Sequence, residues 1–155
     1  MTRLLAAVLA IVALVTQAQA DPNILAAVNQ ARESKRRAPL VYDDRLEAAA
    51  RAHALDMADA RFFSHTGSDR SNVGTRLHRV GYDWCFAAEN IAAGQRSLEQ
   101  VMGVWMASRG HRRNILHRKA RAVGVARATG NRWVMVLASP CRIETFSGNG
   151  KRDGN

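Results

Sequence analysis

The spacing of apolar residues changes once along this chain, and the change limits the folds that it can adopt. Residues 24–28, 46–57 and 98–105 place apolar side chains at helical spacing. Two short apolar runs follow, Ala122–Ala126 and Trp133–Ala138, and the turn residues Gly130-Asn131 between them predict a β-hairpin. Helices first and strands late predict a mixed α/β domain in which helices pack against an antiparallel sheet.

Cap residues set the expected helix ends. Asp44 with Glu47, and Ser97 with Gln100, form pairs typical of helix N-termini. The predicted helices run from Asp21 to the basic residues at 35–37, from Asp44 to about Ala60, from Asn72 to Arg79, and from Ser97 to Gly110.

The first twenty residues have the pattern of a secretory signal peptide. Arg3 precedes an apolar run from Leu4 to Val15, whose roughly 12 residues are fewer than the ~20 needed to cross a bilayer. Ala18-Gln19-Ala20 then matches a cleavage site. A buried N-terminal helix is the alternative interpretation. We expect an exported protein, periplasmic or secreted, with a domain at 21–147, no transmembrane segment in the mature chain, and a flexible tail at 148–155.

The mature chain is strongly basic. Loss of Arg3 with the signal peptide leaves the formal charge one unit below the +10 of the whole sequence. Such a charge attracts anionic partners, and export favours lipid headgroups or cell-wall polymers over nucleic acid. One cluster stands out, and a solvated surface is its alternative interpretation; it comprises Arg112, Arg113, His117, Arg118, Lys119 and Arg121.

The two cysteines, Cys85 and Cys141, are expected to form one disulfide, since disulfides persist outside the cytoplasm. Two unpaired buried thiols are the alternative. Neither cysteine lies in a CxxC motif, so the sequence does not favour redox or zinc chemistry through sulfur.

Three polar residues are the candidates for chemistry: His65 just past the second helix, Glu89 in an otherwise small and apolar run, and His111 directly after the predicted helix end at Gly110. We place each on a different loop, from which they could converge. Two imidazoles and a carboxylate could bind Zn²⁺ with a position left for water, or act as general acid and base. Their separations match no compact metal motif.

Several ordered motifs resemble the bacterial branch of the CAP (SCP-like) superfamily, which takes its name from cysteine-rich secretory, antigen 5 and pathogenesis-related 1 proteins. The motifs are Leu46 through Met57, Phe63-Ser64-His65, Gly81-Tyr82, Glu89-Asn90-Ile91-Ala92, Trp105-Met106-x-Ser108, and Gly110-His111-Arg112-x-Asn114-Ile115-Leu116. The resemblance covers residues 22–140. It implies an α-β-α sandwich with a central cleft lined by His65, Glu89 and His111, where family members often hold a metal ion between the two histidines.

The chain departs from the family pattern at the rim of that cleft. Ser108 stands where many eukaryotic members have a second Glu, and a hydroxyl cannot replace a carboxylate base. Arg109 stands where bacterial relatives often have Pro, which adds a positive charge to a rim formed with Ser108 and Arg112.

Other residues receive structural interpretations. His53 is expected in the core with a hydrogen bond, His78 in solvent, and Asn90 as a partner of loop backbone groups. Trp105 and Trp133 are expected in the core, whereas Trp84 could be a partly exposed platform for a ring-shaped ligand.

The leading functional hypothesis is an extracytoplasmic binding module, expected as a monomer, for a lipid, cell-wall or protein ligand. The missing second Glu favours binding over catalysis. A Zn²⁺-assisted hydrolase with Glu89 as base is one alternative. A structural protein that contacts an anionic cell-wall polymer through the basic cluster is the other.

Overall fold

The computed structural model describes residues 22–141. Its elements in chain order are α1 (Pro22–Glu33), β1 (Val41–Tyr42), α2 (Asp44–Asp59), α3 (Val73–Arg79), β2 (Trp84–Ala93), α4 (Leu98–Ala107), α5 (Arg109–Ile115), β3 (Ala122–Ala128) and β4 (Arg132–Pro140). The predicted signal peptide at 1–20, the cap at Asp21 and the tail at 148–155 lie outside the described residues.

The four strands form one sheet in the order β1-β3-β4-β2. The predicted hairpin is confirmed as the antiparallel pair β3–β4, and β2 pairs with the other side of β4, also antiparallel. The sheet is not wholly antiparallel, because the two-residue strand β1 runs parallel to β3. The sequence pattern did not indicate β1 or β2.

Both faces of the sheet are buried, which confirms the α/β class and the α-β-α sandwich. Val125, Met135 and Leu137 pack in one cluster with α1, α4 and α5. Ala126 and Val136, on the opposite face, pack in a second cluster with α2 and α3. Alternate residues of β3 and β4 therefore serve different helical layers, as the two-residue repeat of a strand requires.

Gly124 permits the closest approach of a helix to the sheet. A Cβ atom at this position would lie 2.1 Å from the backbone nitrogen of Glu47 and 2.3 Å from the carbonyl carbon of Leu46. Strand β3 therefore needs a residue without a side chain where α2 crosses it.

The helix ends follow the predicted cap chemistry with three corrections. The Ser97 and Asn72 side chains accept hydrogen bonds at their helix N-termini, but Asp43, not Asp44, caps α2. Helix α1 ends at Glu33, so the basic residues at 35–37 lie beyond it. The helix predicted to end at Gly110 instead ends at Ala107, and the short helix α5 begins at Arg109.

Cys85 and Cys141 form the predicted disulfide, which joins the start of β2 to the residue after β4. Closing a loop of 56 residues stabilises a fold by about 4 kcal/mol in the chain-entropy model. Across residues 22–141, no helix is both long enough and apolar enough to cross a membrane.

Candidate functional site

His65 and Glu89 meet at the edge of the sheet. His65 lies on the loop between α2 and α3, as predicted, but Glu89 lies within strand β2 and not on a loop. Nδ1 of His65 is 2.8 Å from Oε1 of Glu89. A carboxylate only accepts hydrogen bonds, so Nδ1 carries a proton, and Nε2 is the ring nitrogen that remains for a ligand.

Arg76 holds the other oxygen of the same carboxylate. Its Nη2 lies 2.7 Å from Oε2 of Glu89, and each side chain is only 4% exposed. The guanidinium also donates to the Ser71 and His65 carbonyl oxygens. Burial of a carboxylate is tolerated when a charge partner and hydrogen bonds satisfy it. The sequence carries no signal for Arg76, because nothing in a short helix rich in basic residues distinguishes the buried one.

His53 lies in the core close to Glu89, which confirms the prediction of a hydrogen-bonded core residue. It is 1% exposed, and its Nε2 donates to the Ser64 carbonyl oxygen at 2.8 Å. The same nitrogen is 3.9 Å from Glu89 Oε1. Burial lowers the pKa of His53 and outweighs the attraction of Glu89, so this ring is neutral near pH 7.

His111 approaches from the opposite helical layer. It lies in helix α5, not on a loop as predicted. Asn90 donates to its carbonyl oxygen at 3.2 Å, and Asn114 donates to the Glu89 carbonyl oxygen and to the Asn90 side chain. Asn90 thus bonds a helix backbone group, close to the structural role expected for it.

The environment of His111 differs from that of His65. Burial, followed by repulsion from His65, lowers the pKa of His111. In the described part of the chain, Nδ1 of His111 is buried without a hydrogen-bond partner. His65 in contrast has 58% of its side chain exposed. The His65 imidazole is therefore the more accessible of the two.

The donor set limits the metal that this site could hold. Residues 22–141 contain no group of three or more His, Cys, Asp or Glu side chains arranged to hold a metal ion. Both Glu89 oxygens already bond His65 and Arg76, so the carboxylate is placed to orient an imidazole. The described residues do not fit a catalytic zinc centre with three protein ligands. A Zn²⁺ ion held by His65 and His111 alone stays a prediction.

The three predicted rim residues have different environments. Arg109 is exposed, and Ser108 is half-buried at the junction of α4 and α5. The Arg112 guanidinium donates to the carbonyl oxygens of Met106 and Ala107. Arg112 therefore caps the C-terminus of α4, where a cation is favourable.

A concave surface lies between α1 and α4, and no histidine lines it. This groove has a volume of about 760 Å³, within the range of small-molecule sites. Its lining is mainly apolar or small, and includes Ala27, Ala31, Met102, Gly103 and Met106. The sequence carries no signal for this groove, because those residues also fit the apolar faces of two packed helices.

The remaining predictions concern aromatic residues and His78. Trp105 and Trp133 are buried as expected, and His78 is exposed as expected. Trp84 is half-buried and donates to the Gly74 carbonyl oxygen at 3.3 Å. It packs against Gly74 of α3, where a Cβ would lie 2.5 Å from its ring. One side of the Trp84 indole is therefore already covered by protein.

Known proteins share this sequence pattern and fold. The model of the family described as "CAP: Cysteine-rich secretory protein family" matches residues 25–138. The uncharacterized protein YkwD of Bacillus subtilis is 33% identical over 105 residues, which make up 68% of this chain and 41% of YkwD. An extracellular protein of Bacillus anthracis that contains an SCP domain has a TM-score of 0.72 at 28% identity, over 75% of this chain and 39% of that one.

A more distant structure supports the fold alone. An outer surface protein of Borrelia burgdorferi has a TM-score of 0.71 at 20% identity, over 76% of this chain and 90% of that one. The chain spans only 41% and 32% of the two curated Bacillus subtilis relatives that it matches. Because the family model matches most of the sequence and the same sandwich recurs in an SCP-domain protein, the chain belongs to the cysteine-rich secretory protein (CAP) family.

Proposed function

We propose that the protein is an extracytoplasmic binding domain whose cleft, between His65 and His111, takes a polar ligand of the cell envelope. The observation that carries this proposal is the double engagement of Glu89. With Oε1 bonded to His65 and Oε2 bonded to a buried arginine, the carboxylate is satisfied in the resting state. It is better placed to fix the orientation of an imidazole than to take a proton from water.

The residues around the cleft favour hydrogen bonding to a polar or anionic ligand. His65 presents Nε2 on a largely exposed ring, and the exposed Arg109 adds positive charge at the rim. Ser108 supplies a hydroxyl where a second carboxylate would be needed for a two-acid mechanism. Fragments of the cell wall, which carry amides, hydroxyls and carboxylates, match these groups.

The comparisons support an extracytoplasmic location. The Bacillus anthracis neighbour is described as an extracellular protein. A signal peptide at residues 1–20 would account for the same location here. Its test is N-terminal sequencing of the protein after expression in a bacterial host, with cleavage expected before Asp21.

The binding proposal is tested by titrating soluble muropeptides into the purified protein and into the variant His65→Ala/His111→Ala. The matched control is His78→Ala, which removes an exposed histidine from α3. We expect saturable binding that weakens at least about tenfold in the double variant (about 1.4 kcal/mol) and is unchanged in the control. Equal binding by the double variant, or release of a cleaved product by the wild type, would contradict the proposal.

A second candidate function, lipid binding, has its own observation in the groove between α1 and α4. An apolar groove of about 760 Å³ is large enough for an acyl chain. Gly103 lies in this groove, and a Cβ there meets no atom within 4 Å. Gly103→Phe should therefore fill the groove without displacing the core.

Palmitate is the probe for the groove. We expect Gly103→Phe to abolish palmitate binding and Val104→Phe, on an exposed position of the same helix outside the groove lining, to leave it intact. If both variants bind palmitate as the wild type does, the groove is not the lipid site.

A further inference from the structure

The fold joins two basic segments that are far apart in the sequence. The turn after α1 carries Lys35, Arg36 and Arg37, and the segment from α5 to β3 carries the predicted basic cluster. Two arginines connect them. Arg32 donates to the carbonyl oxygens of Ile115 and His117 at 2.7 and 3.1 Å, and Arg37 donates to that of Leu116 at 3.1 Å.

These hydrogen bonds create a patch that we call the two-segment basic surface. It consists of Lys35, Arg36, Arg37, Arg113, Arg118, Lys119 and Arg121, all exposed except the half-buried Arg37. None of them forms an ion pair with another described residue of the chain, and Glu33 is the one acidic residue within 32–37 and 112–121. Seven cations without acidic partners repel one another, so the surface is more stable with an anion bound.

The charge of the two-segment basic surface affects the pKa of nearby groups. Burial, followed by repulsion from Arg121 and Arg37, lowers the pKa of Arg32. Burial, followed by repulsion from Lys119, Arg113 and Arg32, lowers the pKa of His117. Both segments therefore contribute to one positive field.

We propose that the two-segment basic surface binds an aliphatic phosphodiester polymer of the cell envelope, such as poly(glycerol phosphate). Five of its seven cations are arginines, whose planar guanidinium groups bind phosphate oxygens in pairs. Neither cleft histidine belongs to this surface, although Arg113 shares helix α5 with His111.

The apolar and aromatic residues of the surface argue against two other polyanions. A membrane-binding face usually inserts large apolar side chains, yet of the exposed large hydrophobic residues in the described chain only Val41 adjoins this surface, through its bond to the Arg121 carbonyl oxygen. Single-stranded nucleic acid is held by stacking on aromatic rings. The Phe86 ring is already stacked on His117, with centroids 4.1 Å apart and planes 6° apart.

The test measures binding of poly(glycerol phosphate) between about 50 and 200 mM salt for variants that remove two charges each. Lys35→Gln/Arg36→Gln changes the first segment and Arg118→Gln/Lys119→Gln changes the second. The control Arg61→Gln/Arg96→Gln removes the same charge from exposed positions elsewhere. We expect each test variant to weaken binding about tenfold at the lower salt and to reduce the salt slope by roughly 0.7 for each phosphate that is no longer neutralised. The control should bind as the wild type does.

Three results would overturn the proposal. The first is equal binding by the control and the test variants, which would mean that only net charge matters. The second is loss of binding in the second-segment variant alone, which would exclude the first segment. The third is tighter binding to a single-stranded oligonucleotide or to anionic vesicles than to the polymer at equal charge concentration. Thermal midpoints close to that of the wild type would show that the variants are folded.

Discussion

Arg76 and Glu89 form a buried ion pair in which Nη2 and Oε2 are 2.7 Å apart and each side chain is 4% exposed. The pair links α3 to the edge strand β2 and fixes the carboxylate that orients His65. Glu89 also bonds His65, and Arg76 also donates to the Ser71 carbonyl oxygen. The position of His65 therefore depends on an ion pair that forms when α3 packs against the sheet.

Removing Arg76 should destabilise the fold more than removing a surface partner. Arg76→Met leaves the Glu89 carboxylate buried without its cation, which typically costs about 3–5 kcal/mol. The matched control is Arg79→Met on the same helix, since Arg79 pairs with Asp69 on the surface and such exposed pairs are worth about 0–1 kcal/mol. Urea unfolding measures both. Equal losses in the free energy of unfolding would show that the buried pair stabilises the fold no more than the surface pair does.

Gly124→Ala should prevent α2 from packing on β3. The added Cβ would lie 2.1 Å from the Glu47 backbone nitrogen, and backbone atoms cannot move aside as the end of a side chain can. We expect a loss of about 3 kcal/mol or more in the free energy of unfolding. The control Gly103→Ala adds a Cβ into open space on α4 and should be neutral or stabilise by up to about 1 kcal/mol. A wild-type midpoint for Gly124→Ala would mean that the helix sits farther from the sheet.

His117 should titrate below the usual range of histidine. Its pKa is lowered by burial and then by Lys119, Arg113 and Arg32. A histidine with a lowered pKa in the folded state favours the neutral form. Its contribution to stability is therefore present above the unfolded pKa of about 6.5 and is lost as pH falls from there through the lower folded pKa. NMR titration of the ring in the wild type and in Lys119→Gln/Arg113→Gln measures the shift. The midpoint should rise in the variant, and an unchanged midpoint would remove the neighbouring cations as a cause.

Zn²⁺ is predicted to bind at one site per chain through the two cleft histidines. With two protein ligands the site should be weaker than a three-ligand catalytic centre. Calorimetric titration of the wild type and of His65→Ala/His111→Ala tests this prediction, with His78→Ala as the control for a lost surface imidazole. Heat that is retained in the double variant, or absent from the wild type, would contradict a metal between these histidines.

The sequence predicted elements with strong local signals and failed where tertiary contacts decide. Alternating or periodic apolar residues identified α2, α4 and the β3–β4 hairpin. Strand β2 was missed because Trp84–Ala93 is a run of mainly small residues without alternation. Gly110 was interpreted as a helix end, although the break falls at Ser108, which has extended backbone dihedrals.

The same distinction holds for the site. His65, Glu89 and His111 were candidates because each is of a reactive type and stands next to a predicted helix end or in an apolar run. Arg76 was not a candidate, because its burial depends on the docking of α3 against β2. In the sequence it cannot be distinguished from the other arginines. The two-segment basic surface was half predicted, because the hydrogen bonds of Arg32 and Arg37 that bring in residues 35–37 span about 80 positions of the chain.

The central claim, that the cleft binds its ligand through His65 and His111, is tested most directly by the imidazole NMR spectrum during titration with soluble muropeptides. The five histidines report on separate places: His65 and His111 on the cleft, His53 beneath it, His78 on α3, and His117 beside the basic surface. We predict saturable shifts of His65 and His111, with His78 and His117 unmoved. Shifts confined to His117, or no shift of either cleft histidine at saturating ligand, would contradict the claim.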